Sequence, residues 1–165
     1  MAKAKQAVPQ GLHTVTPMLT FDNSKRAIEW YQKALGAKEI SRAVDDEGNV
    51  LHAEIQIGNS HLTLHDAMMG AKSAKTFGGS PISLWIYVED ADTLFNRATA
   101  AGGKVADGPM GQMSDQFWGD RCGTFTDPEG YSWTIATRKE DLTPEEMRQR
   151  MDAFMKQSTK QTAHV

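Results

Sequence analysis

The chain has a single cysteine, Cys122, among 165 residues. That excludes an internal disulfide and any CxxC redox or zinc motif, and the scarcity suits a reducing compartment such as the cytoplasm. No stretch approaches the roughly 20 consecutive apolar residues that a membrane-crossing helix needs. Lys and Arg number 18 against 21 Asp and Glu, a formal charge of −3. With no basic excess, neither nucleic acid nor an anionic membrane is an expected partner. P-loop, dinucleotide-glycine, zinc-finger and Ser-His-Asp patterns are all missing. The opening "MAKAKQAVPQG" carries Lys with no apolar run behind it, so residues 1–11 are expected to be a flexible tail and no signal peptide.

What is present is a repeated programme of strands and helices. "TVTPMLTF" (14–21) reads as a strand, with Pro17 favouring its edge or beginning. Asp22, Asn23 and Ser24 offer caps to a helix whose Ala27, Ile28, Tyr31 and Leu35 share a face, and Gly36 stops it. Strands "KEISRAV", "VLHAEIQI" and "SHLTLHD" follow, the last two joined by a tight turn at Gly58–Asn59. After a Gly/Ser/Lys-rich linker the pattern returns: "ISLWIYV", the capped helix "EDADTLFNRATAAG", the short strand "KVADGP", a long loop, then "DRCGTFTD" and "YSWTIAT". The phrases "LTFDNSKRAIEWYQKALGAK" and "IYVEDADTLFNRATAAGGK" answer one another. Both halves therefore read β-α-β-β-β, two copies of one unit that must share a core. The expected class is α+β, with modules at 12–68 and 81–141, a linker at 69–80, a C-terminal helix at 142–157 and a frayed tail at 158–165 in which His164 has no role. That helix opens with a Thr143/Glu146 capping box, and its stripe of Met147, Met151, Phe154 and Met155 suits docking on its own sheet or a second subunit.

The phrases "AIEWYQKALGAKEI", "LHAEIQIGNSHLTLHD" and "FWGDRCGTFTDPEGYSWTIAT" resemble the vicinal oxygen chelate superfamily, the glyoxalase / bleomycin-resistance / dioxygenase group, and within it PhnB-like proteins. The resemblance spans about residues 12–141. It implies two βαβββ modules whose sheets curl around a cleft, a homodimer, and a small-molecule ligand. In metal-dependent relatives, one His, Glu or Gln ligand comes from the first and last strand of each module. Carried onto this chain, those positions are Thr16, Thr63, Ser83 and Thr134. Hydroxyls are poor ligands for a divalent ion, which favours imidazole, thiolate or carboxylate. No cofactor is therefore expected at the usual positions.

A different metal site is the alternative. The Gly58–Asn59 turn sets His52 opposite His65 and Glu54 opposite Thr63, so His52, Glu54, Gln56, His61 and His65 share one sheet face. His52, Glu54 and His65 offer donors suited to Zn, Mn, Fe or Ni. Aromatic cleft walls are expected from Trp85, which strand alternation sends to the same side as Ser83 and Tyr87, and from Phe117 and Trp118 in the preceding loop. Arg121 suits either an ion pair with Asp120 or Asp115, or a ligand anion. Cys122 and Trp133 are expected to pack. Three readings follow. The first is a metal-free protein binding an apolar or aromatic small molecule; the second is a metal-dependent lyase, isomerase or dioxygenase; the third is a partner-binding protein using the terminal helix.

Overall fold

The computed structural model describes residues 3–162, with side chains through residue 156. Strand β1 (Met18–Phe21) opens the first module and pairs in parallel with β4 (Ser60–Asp66). It is shorter than the expected 14–21 because Pro17 has no N–H to extend the ladder, although its carbonyl still accepts from Thr63 N at 3.0 Å. Thr16 therefore stands ahead of the strand. Helix α1 (Ser24–Leu35) begins where Asn23 accepts from Arg26 N at 2.9 Å and ends at Gly36, whose φ of 69° suits glycine. Strands β2 (Lys38–Val44), β3 (Val50–Ile57) and β4 (Ser60–Asp66) complete a sheet of order β1-β4-β3-β2.

The second module repeats this plan. Strand β5 (Ser83–Tyr87) runs parallel to β9 (Ser132–Arg138), as β1 does to β4. Between them lie α2 (Ala91–Ala100), capped by Asp90 on Thr93 N at 3.0 Å, then β6 (Lys104–Val105) and β8 (Asp120–Thr126). The order is β5-β9-β8-β6, with β7 (Ser114–Asp115), a pairing the sequence pattern did not announce, also held on β8. The linker contains a short 3-10 turn at Lys75–Phe77.

One apolar core binds the modules together. Phe21, Tyr31, Tyr131 and Trp133 meet edge to face at ring distances of 5.4–5.9 Å. Asp127, in the turn between β8 and β9, accepts from Tyr31 Oη at 2.6 Å and Trp133 Nε1 at 2.9 Å. Across the helix pair, Trp30 Nε1 donates to Ala101 O and Arg97 Nε to Ala34 O, both at 2.9 Å. The Tyr131 hydroxyl serves the open edge of β1, accepting from Thr20 N at 2.9 Å and donating to Thr20 O at 3.0 Å.

Helix α3 (Pro144–Thr162) runs past the expected end at 157, and His164 lies outside the described residues. Its capping box forms as read, with Glu146 N donating to Thr143 Oγ1 and Thr143 N to Glu146 Oε2. Phe154 stacks near Phe117 at 5.3 Å, while much of Met151 and Met155 is exposed. Among the described residues, no helix is long and apolar enough to cross a membrane.

Candidate functional site

Strands β1 and β5 are both sheet edges, and two clefts lie along them. One, of about 520 Å³, is bordered by His13, the Gly58–Asn59 turn, His61, Trp85 and the apolar side chains Leu84, Ile86 and Leu94. The other, of about 400 Å³, is bordered mainly by apolar groups including Met18, Phe77, Ile82 and Tyr131. They share Val15, Pro17 and Leu84, so they adjoin where the chain enters β1.

Alternation along β5 positions Trp85. Leu84 and Ile86 pack on the core, which turns Ser83, Trp85 and Tyr87 to the opposite face. Trp85 remains 41% exposed and its ring lies 6.0 Å from that of Tyr87. The Tyr87 hydroxyl donates to Asp120 Oδ2 at 2.9 Å, joined there by Trp118 Nε1 at 3.0 Å; Arg138 reaches Asp120 Oδ1 at 3.1 Å. Burial, then Asp120 itself, pushes the Tyr87 phenol up, so it stays a protonated donor. This arrangement fixes the base of the aromatic wall.

On the other sheet, β3 and β4 pair Glu54 with Thr63 and Gln56 with His61. His61 Nδ1 meets the diagonal neighbour Glu54 Oε1 at 2.5 Å. His65 sits between Thr20 Oγ1 at 3.1 Å and the Asp66 carbonyl at 2.8 Å. His52 is exposed beside a register shift at which β2 passes from His52 to Val50. Thus His52, Glu54 and His65 share a face without converging: Glu54 is engaged by His61, and both ring nitrogens of His65 have partners. Among the described residues, no three His, Cys, Asp or Glu side chains form a group able to hold a metal ion.

The four hydroxyl positions do not make a donor set either. Thr16 Oγ1 donates to His13 O at 2.9 Å, Thr63 Oγ1 to Pro17 O at 3.4 Å, and Thr134 Oγ1 pairs with Thr124 Oγ1 at 2.9 Å in a buried position. Ser83 is exposed at the start of β5. Neutral hydroxyls, three of them already hydrogen-bonded, do not fit a divalent cation.

Of the expected site residues, Trp85 borders a cleft; Phe117, Trp118 and Arg121 border neither of the two. Phe117 and Trp118 contact each other edge to face at 5.0 Å, with Trp118 tied to Asp120. Arg121 forms a two-pronged pair with Asp92, both bonds 2.7 Å, and reaches Asp115 at 3.2 Å, leaving Asp120 to Arg138. Its position on β8 between inward residues sends it toward the N-terminus of α2, where Asp92 stands. Burial pushes the Cys122 thiol up to about 11, which suits packing and not nucleophilic chemistry. The sequence put His61 on the sheet face of His52, Glu54 and His65 but not among the candidate site residues, and it did not single out His13. The turn geometry that paired Glu54 with Thr63 also implies the diagonal Glu54–His61 contact; nothing in the sequence marked His13.

Comparison with known proteins agrees with the topology. Residues 11–135 match the profile of the Glyoxalase/Bleomycin resistance protein/Dioxygenase superfamily. An uncharacterized protein of Mycobacterium tuberculosis strain H37Rv is 32% identical over 144 residues, covering 84% of this chain and 82% of that one. The PhnB protein from Bacillus cereus superposes with a TM-score of 0.60 at 19% identity, covering 76% and 99% of the two chains. A bleomycin-binding protein complexed with bleomycin does so with 0.52 at 15%, covering 78% and 99%.

Proposed function

Taking as premise that the chain belongs to the glyoxalase/bleomycin resistance protein/dioxygenase superfamily, we propose that it is a homodimeric protein binding an apolar or aromatic small molecule in the cleft beside Trp85, without a metal at the positions its metal-dependent relatives use. The observation that carries this reading is Trp85 itself: a half-exposed indole on an edge strand, bordering a cleft with several apolar walls and a few polar groups. That combination suits a ligand with a flat apolar body. The bleomycin-binding protein, complexed with bleomycin, shares the fold; in this chain Trp85 and the residues beside it supply the binding chemistry.

Dimerisation is supported by the same edges. Val15, Met18, Phe77 and Ile82 expose large apolar side chains beside the open edges of β1 and β5, and such edges are stabilised by being covered. The test is a titration with p-nitroanisole, followed by tryptophan quenching, in the wild type and Trp85→Phe, alongside sedimentation. Saturable quenching that is largely lost in Trp85→Phe is expected, with the mass of a dimer. Unaltered quenching in the variant, or binding only after Zn²⁺, Mn²⁺, Fe²⁺ or Ni²⁺ is added, would overturn the reading.

A further inference from the structure

Resting on the Trp85 cleft as the binding site, we propose that His61 and Glu54 form a proton-accepting pair that selects aromatic ligands bearing an acidic O–H, electron-poor phenols above all, and holds them as phenolate against imidazolium. Glu54, as a carboxylate, can only accept, so the proton of the 2.5 Å contact sits on His61 Nδ1. In the neutral ring Nε2 then carries the lone pair, and among the described residues it makes no hydrogen bond. His61 borders the cleft.

The ring is held in place. Its side chain is 13% exposed and that of Glu54 18%, so the pair is only partly screened by water. The backbone of Gly11 lies against the imidazole: a Cβ there would stand 2.7 Å from His61 Cε1 and 3.0 Å from Nε2. Nε2 is thus an oriented acceptor at the cleft border, with the Glu54 carboxylate on the far side of the ring to face the charge that a transferred proton brings. His13, which borders the same cleft, is the other titratable imidazole near the ligand; His65 is engaged by Thr20 and the Asp66 carbonyl.

Ligand chemistry follows from the two walls together. Trp85 favours an aromatic face, and Nε2 favours a donor acidic enough to give up its proton. When an electron-poor phenol binds, its O–H bond breaks, the electron pair stays on oxygen, and the proton forms a new N–H bond at Nε2. Glu54 offsets the charge gained by the ring. No other reactant is required.

The experiment compares p-nitrophenol with its methyl ether, p-nitroanisole, at a pH where free p-nitrophenol is mostly protonated. The expected result is a nitrophenolate absorption band on binding and an affinity about tenfold above that of the ether. His61→Gln is expected to abolish the band and bring the phenol down to the affinity of the ether; Glu54→Gln is expected to weaken both effects. Equal binding of phenol and ether without the band, or a band that persists in His61→Gln, overturns the proposal while leaving the Trp85 cleft standing. If neither probe quenches Trp85, the proposal falls together with the cleft.

Discussion

Asp127 is the place where one atom's change should cost the most. The carboxylate is 4% exposed and accepts four hydrogen bonds. Oδ2 takes Tyr31 Oη at 2.6 Å and Trp133 Nε1 at 2.9 Å, and Oδ1 takes the backbone N–H groups of Glu129 and Tyr131, both at 2.9 Å. Burial pushes this carboxyl up and the four donors oppose that shift. Burial and the neighbouring Asp127 charge push Tyr31 well above an ordinary phenol, so Tyr31 stays a donor. In Asp127→Asn one oxygen becomes an NH2 group; at Oδ2 the Tyr31 hydroxyl can turn to accept from it but the Trp133 N–H loses its acceptor, and at Oδ1 two backbone N–H groups would lose theirs. Losing one or two bonds to a charged acceptor removes about 1.5–3 kcal/mol each, and relief of the buried charge returns part of this. The expected net loss is about 2–4 kcal/mol.

Tyr31→Phe removes one donor and leaves Oδ2 with Trp133, so about 1.5–3 kcal/mol should be lost. Because both changes act on the same contact, the double variant should lose less than the sum, with a coupling of about 1 kcal/mol or more. Urea unfolding followed by circular dichroism measures all three, provided the slope with denaturant is unchanged. If Asp127→Asn lies within about 1 kcal/mol of wild type, or the two losses simply add, then the knot does not hold the modules together as argued.

Trp118→Phe should leave p-nitroanisole affinity intact, since Trp118 borders neither cleft, while removing one donor to Asp120 and about 1 kcal/mol of stability in urea unfolding. Arg121→Met should also leave ligand affinity intact. Arg121 holds the Asp92 carboxyl below its ordinary value, so the pair stabilises above the unfolded carboxylate range and the contribution disappears as pH falls through the folded value. With side chains 30% and 45% exposed, the wild type should exceed the variant by about 0.5–1 kcal/mol at neutral pH. Urea midpoints should converge in acid; a gap that widens there refutes the assignment. Gly11→Ala combines a φ of +86° with a Cβ pressed on His61, so it should reduce the preference for p-nitrophenol over its ether, as absorbance titration would show. His52→Ala and His65→Ala should change neither metal content nor p-nitroanisole binding, which elemental analysis and quenching would check.

Most of the fold was legible because it rests on local rules. Asn23 and Asp90 cap the starts of helices whose apolar residues recur at a spacing of 3.6, Gly36 closes the first of them, and the Gly58–Asn59 turn fixes the β3–β4 register to the residue. Two short departures have local causes as well: Pro17 trims β1, and the β2–β3 register shift lets Leu51 and His52 both face outward while Val50 is buried. The site was less legible because it depends on contacts distant in sequence. Trp85 could be assigned from alternation alone. Trp118 could not, since its partner is a buried carboxylate two residues on that also collects Tyr87 and Arg138. Arg121 had Asp120 beside it in sequence, yet the strand sends adjacent side chains to opposite faces, so its partner is Asp92 on α2.

The duplicated backbone carries different chemistry at matching places, and this bears on what can bind. Met18 and Trp85 each stand five residues before a helix cap, Asn23 and Asp90, and each pairs with a threonine, Thr63 and Thr134. The next outward pair is Thr20 with His65 in the first module and Tyr87 with Ala136 in the second. A thioether thus stands where its counterpart is an indole, and an imidazole where its counterpart is a methyl group. One copy presents Met18 and His65 at these places and the other Trp85 and Ala136, the neighbour of Tyr87. A ligand alike at both ends would ask the same residues of each half. The two faces therefore differ, and in the proposed reading a bound molecule is oriented by the module that each end meets.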